Sequence, residues 1–329
     1  MLEARGVSWI LLTLLTLLVI PQSSLVAGGD GISIVVTFQF MVDDIKSLLC
    51  SGDEVTSIVP QGVDPHEYQL TYSDLAKLAA ADLIVSTAHT PFEMKIREMV
   101  MSGELKAELI EIPKIPGMVF LSIPSVNTTN YHGTLFYGRN YVAFINNVSD
   151  TLSRLRPECA DWYRSRARVA ISTVEELEGG VRPLSGLKAV VDIPPLQYIA
   201  TWLGAEVVRT LLVEHDVPAS PQDVEKVERI VEGLKDGVVL VFTEDSTARG
   251  LMEEIASRYG ARVLALPNPV TSTSSVLLYM QKAVERALNV RTPERVGGDI
   301  SVATQYLVVA AVVVAVVALL ITLGRRVWR

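Results

Sequence analysis

From Gly31 onward, continuous apolar runs alternate with segments whose apolar positions recur at helical spacing. ISIVVTF (32–38) is an apolar, β-branched run, and a helical pattern follows it over 41–49. VTSIV (55–59) predicts a second strand, and SDLAKLAAA (73–81) a helix with Ser73 as its N-cap. DLIVST (82–87) predicts a third strand, followed by a helix that opens on Pro91. Strands that are apolar throughout and separated by helices point to a parallel α/β sheet covered on both faces.

The same order returns later. LKAVVDI (187–193), a helix over 196–203, EVVRTLLV (206–213), a helix beginning at SPQD, VVLVFT (238–243) and a helix over STARGLMEEIASRYG repeat the opening. The valines at the centres of matching strands are spaced alike, Val36 to Val85 and Val191 to Val241. The chain therefore predicts two similar lobes, each a mostly parallel sheet flanked by helices, at 31–150 and 183–290. Between them, 157–180 reads as one long helix that begins at Pro157 and stops at Gly179-Gly180. Ligands of such folds lie beyond the carboxyl ends of the strands, here in the cleft between the lobes.

The two ends differ from this body. WILLTLLTLLVI (9–20), followed by small residues near 27–29, has the layout of a secretory signal or N-terminal anchor over 1–28. No cysteine lies near the expected cleavage point, which argues against a lipid-anchored amino terminus. After a linker over 291–305, YLVVAAVVVAVVALLITL (306–323) is uncharged and would span about 27 Å as a helix. Arg325, Arg326 and Arg329 follow it. The expectation is a C-terminal transmembrane helix holding a monomeric body on the extracytoplasmic face of a cell membrane.

A net charge of −8 argues against a nucleic-acid partner and suits a cationic ligand. Cys50 and Cys159 have no zinc-finger spacing; outside the cytoplasm they are open to a disulfide or to two buried thiols.

The chain has four histidines, His66, His89, His132 and His215, all in predicted loops or at helix starts. His66 follows the second strand, His89 the third, and His132 the apolar segment MVFLSI (118–123). In the second lobe, Asp192 ends the first strand, and Glu244 and Asp245 follow VVLVFT. Neutral imidazoles and carboxylates are ligands for zinc, manganese or iron. No HExxH, GxSxG or Walker-type loop is present, and no serine or cysteine nucleophile stands out, so the chain does not read as an enzyme.

GVDPHEYQLTYSDLAKLAAADLIV (62–85) resembles the signature segment of the zinc- and manganese-binding solute receptors of ABC importers. VVTFQFMVDDIKSLLCSGDEVTSIVP and RPECADWYRSRARVAISTVEEL resemble that family's opening unit and its long backbone helix. The resemblance implies a divalent transition metal, zinc or manganese, as transported ligand, and an ABC permease as partner. It places His66 and His132 on the first two ligand positions. The third position falls at Ile193, with Asp192 the neighbouring donor, and the fourth at Asn268 in LPNPV. The expected set is His66, His132, Asp192 and Glu244, with His89 and His215 as possible replacements. The alternatives are a receptor of the same scaffold for another ligand, or a metal-dependent surface hydrolase.

Overall fold

A computed structural model describes residues 31–290 apart from 64, 181, 213–218 and 235–236. The first lobe is a parallel sheet of β1 (Ser33–Phe38), β2 (Glu54–Val59), β3 (Leu83–Ser86) and β4 (Glu108–Glu111), in the order β2-β1-β3-β4. Helices α1 (Val42–Leu48), α2 (Tyr72–Ala79) and α3 (Pro91–Met101) make the crossovers. All four residues of β3 are buried, which is why the strand carries no polar alternation.

A two-stranded hairpin, β5 (Ser122–Ile123) and β6 (Thr128–Thr129), leads to the long helices α4 (Gly138–Leu155) and α5 (Ala160–Gly179). The second sheet contains β7 (Lys188–Val191), β8 (Glu206–Thr210), β9 (Val238–Thr243) and β10 (Arg262–Leu266), in the order β10-β9-β7-β8. Helices α6 (Pro195–Trp202), α7 (Pro221–Leu234), α8 (Arg249–Tyr259) and α9 (Val276–Leu288) complete it. Numbered within each lobe, both sheets run 2-1-3-4. The matched valines seen in the sequence are paired rungs, Val36 with Val85 and Val191 with Val241.

The lobes are fastened at two places. Tyr198 on α6 donates its hydroxyl to the Asn130 carbonyl at 2.5 Å and accepts the Leu121 N–H at 3.0 Å. On the other side, the buried Asp44 carboxylate of α1 receives the Val276 N–H at 2.5 Å, the Ser275 hydroxyl at 3.0 Å and the Tyr141 hydroxyl at 2.9 Å. An anion there sits against the positive end of α9. Burial nevertheless dominates and raises the Asp44 carboxyl to about 6, with the donated hydrogen bonds opposing it.

Several expectations are corrected. The described residues form two α/β lobes, and among them no helix is long and apolar enough to cross a membrane, so the expected C-terminal membrane helix has no support in the fold. The segments 1–28 and 306–323 lie outside the described residues. Helix α2 starts before Ser73, with Thr71 as its cap. Thr71 Oγ1 accepts the Asp74 N–H at 3.3 Å while Asp74 Oδ2 accepts the Thr71 N–H at 2.9 Å. A cap at Ser73 would have Ala76 three residues on, with no side chain to return the bond. The apolar segment 118–123 is not a sheet strand; only Ser122–Ile123 pairs, and with the hairpin partner. The alternation 31–150 also holds β4, which the pattern did not single out.

The two cysteines form a disulfide that joins the end of α1 to the start of α5. It closes a loop of 109 residues, worth about 4–5 kcal/mol in the chain-entropy account.

Candidate metal centre

A cavity of about 640 Å³ opens between the lobes at the carboxyl ends of both sheets. Its first-lobe wall includes Phe38, Phe40, His66, Thr87, His89 and His132; its second-lobe wall includes Ile193, Pro194, Pro195, Asp245, Asn268 and Val270.

Three histidines converge there. His66, His89 and His132 each present one ring nitrogen, and the three nitrogens lie within 4.8 Å of one another. The ring centroids are 5.8 Å apart for His66–His89, 5.6 Å for His66–His132 and 5.0 Å for His89–His132. His66 comes from the loop after β2 and is exposed, while the other two are half-buried. The loop is followed by Tyr68, whose hydroxyl donates to Asp74 Oδ2 at 2.8 Å and so ties it to the capped start of α2.

His89 follows β3 directly, and the turn that presents it is strained. Ala88 has φ = 57°, a left-handed conformation that a residue with a Cβ adopts at some cost. Glu93, at the start of α3, holds this turn by accepting the Thr87 N–H at 2.7 Å, the His89 N–H at 3.0 Å and the Thr90 N–H at 3.1 Å. Burial works to raise the Glu93 carboxyl, but His89 and the converging donors bring it below its ordinary value.

Thr87 Oγ1 lies 2.8 Å from Glu93 and 2.8 Å from His89 Nδ1. A hydroxyl has one proton, and the carboxylate claims it, so the same oxygen accepts from Nδ1–H of His89. That fixes the proton on Nδ1 and leaves Nε2 with its lone pair toward the cleft, the arrangement that orients metal-bound imidazoles.

His132 is placed by the loop between the hairpin and α4. Its N–H donates to Asn130 Oδ1 at 2.9 Å, and the Asn130 amide donates to the Pro194 carbonyl and to Gln197 Oε1, both at 2.9 Å. Gly133 has φ = 71°, and a Cβ there would meet Pro195 at 2.9 Å, so the loop needs glycine to pass against α6. His132 Nδ1 is buried with no hydrogen-bond partner. Burial, with His89 and His66 as neighbours, lowers this imidazole to about 4, so it is neutral at physiological pH. Burial also lowers His89, partly offset by Glu93. Neutral rings with unspent nitrogens are what a transition-metal ion requires of histidine.

The other expected donors are elsewhere. Asp192 is fully buried, and its Oδ2 accepts the Thr243 N–H at 2.9 Å and the Thr243 hydroxyl at 3.0 Å. It joins the ends of β7 and β9 inside the lobe, and burial pushes its carboxyl up. Glu244 turns away to Arg286 on α9, at 2.5 Å. Neither belongs to the histidine group. Asp245, one residue beyond Glu244, lines the cleft instead. Asn268 also lines it, with Oδ1 occupied by the Val270 N–H at 3.1 Å. His215 lies outside the described residues. Sequence reasoning counted His89 only as a replacement; its position directly after a predicted strand was the available signal.

Residues 34–287 match the family described as zinc-uptake complex component A, periplasmic. The manganese-binding lipoprotein MntA of Halalkalibacterium halodurans is 22% identical over 241 residues, which cover 71% of this chain and 78% of that protein. The periplasmic zinc-binding protein TroA from Treponema pallidum superposes with a TM-score of 0.63 at 18% identity, over 79% of this chain and 98% of its own. The solute-binding protein FpvC from Pseudomonas aeruginosa, solved with Mn2+, superposes with a TM-score of 0.64 at 17% identity, over 78% and 96%. At these identities the solved structures speak for the fold.

Proposed function

Because the chain belongs to the family of periplasmic zinc-uptake components matched over 34–287, we propose that it is an extracytoplasmic receptor that captures a divalent transition metal in its interlobe cleft. The metal is cargo, handed on to the permease of an ABC importer. Relatives named for zinc and for manganese support the ligand class.

The observation that carries this reading is the convergence of three ring nitrogens within 4.8 Å at the carboxyl ends of the first sheet. His66, His89 and His132 are the proposed ligands. Asp192 and Glu244, engaged with Thr243 and Arg286, are not. A set of three imidazole nitrogens suits zinc better than manganese, which prefers oxygen donors.

Elemental analysis and titration of the purified chain with Zn2+ and Mn2+ test it. One zinc per chain is expected, bound more tightly than manganese, and lost in the His66→Ala/His132→Ala double variant while the circular dichroism spectrum is retained. A wild-type chain that takes up neither ion overturns the proposal.

A further inference from the structure

We propose that the metal is bound together with a small anionic chelating molecule, such as an amino acid or a carboxylate, which fills the second-lobe side of the cleft. This deepens the reading above and rests on it.

Three observations carry it. All three nitrogens come from the first lobe, and an imidazole that ligates a metal brings no charge to it. A divalent ion held by them keeps its full charge in a half-buried site, which is costly unless an anion accompanies it. Among the described residues, the cleft wall offers one carboxylate, Asp245, which is exposed and stands outside the histidine group. The second-lobe residues on the cleft wall bring no further charge to the shell. Ile193 and Pro194 have no side-chain donor, and Asn268 and Thr271 offer only neutral oxygens, the Asn268 one already accepting the Val270 N–H.

Second, the space is too large for an ion alone. About 640 Å³ lies in the range of small-molecule sites, and three ligands leave at least one coordination position open toward it. Third, the wall suits an organic guest. Phe38, Phe40, Ile193, Pro195 and Val270 give it apolar surface, and among the described residues no lysine or arginine lines it. A free anion would find no cationic side chain there, so the metal itself must hold the anion. The guest is then one unit, a metal chelate whose open side is taken by the three imidazoles.

The test uses the full chain with Zn2+ alone and with Zn2+ plus L-histidine or citrate, followed by native mass spectrometry and by titration at matched free zinc. The expected result is a species carrying both zinc and one co-ligand, and an affinity at matched free zinc that rises about tenfold, or 1.4 kcal/mol, when the co-ligand is present. Val270→Trp, which takes up room on the second-lobe wall, is expected to lower the co-ligand-bearing fraction. A zinc-only species whose affinity ignores the chelator overturns this inference and leaves the metal-receptor reading standing. Failure to bind zinc under any condition overturns both.

Discussion

The two lobes share one strand order, yet among the described residues only the first gathers, at its carboxyl edge, a group of side chains that could hold a metal. In the first lobe the residues after β2 and β3 are His66 and His89, and both turn into the cleft. In the second lobe the residues after β7 and β9 are polar too, but Asp192 folds inward to Thr243 and Glu244 outward to Arg286. Topology thus decides where a ligand could sit. The direction of individual side chains at strand ends decides whether one does.

The sharpest way to break this contrast is substitution on both sides of the cleft. His89→Ala is expected to weaken zinc binding by about three orders of magnitude, near 4 kcal/mol, whereas Glu244→Gln changes it less than about threefold. Isothermal titration decides between them; equal losses would make the second lobe a partner in coordination after all. The same titrations across pH sharpen the assignment. Protons compete with the metal for imidazole, and His89 and His132 are both held below the ordinary histidine value. Their share of the affinity is therefore expected to survive below pH 6.5, the His132 contribution failing only near pH 4.

A smaller effect concerns the fastening between the lobes. Asp44 has a folded-state value near 6 against an ordinary 3.8, so the folded chain holds this proton more tightly than the unfolded one. Its contribution is fully present below about pH 4 and is lost as pH rises through 6, amounting to about 3 kcal/mol. Urea unfolding of the wild type and of Asp44→Asn at several pH values isolates that slope. A wild-type slope identical to the variant's would refute it.

The smallest expected change tests the second lobe's lack of an orienting network against the first lobe's possession of one. Thr87→Val removes the hydroxyl that fixes the His89 tautomer and should weaken binding by about 10- to 100-fold; because that hydroxyl also donates to buried Glu93, a stability loss of about 1–3 kcal/mol is expected beside it.

Much of this was legible from residues alone. Apolar runs marked β1, β3 and β9 because strands covered on both faces cannot alternate, and the paired valines foretold matching sheets. His66 and His132 were reached from the predicted strands that precede them and from the resemblance to the metal-receptor family, and both line the cleft. His89 needed more than sequence. Its reach into the cleft depends on the adjacency of β1 and β3 and on the strained turn at Ala88, neither of which has a one-dimensional signature. Asp192 and Glu244 looked like ligands because they end strands. In the fold they contact Thr243 and Arg286, 51 and 42 residues away, and stand outside the histidine group. The membrane helix was read from a terminal apolar segment outside the described residues, and no helix among the described residues takes that role.

The Asp44 fastening also bears on the order in which the molecule is made. The carboxylate and its partner Ser275 are 231 residues apart, so a chain emerging at about 5–20 residues per second exposes the first long before the second exists. For roughly 10–50 seconds of synthesis, α1 carries an acidic group without the backbone donors that later receive it. The last described helix is therefore a closing piece, and a nascent chain halted before Ser275 would hold a first lobe whose Asp44 still lacks the donors of α9.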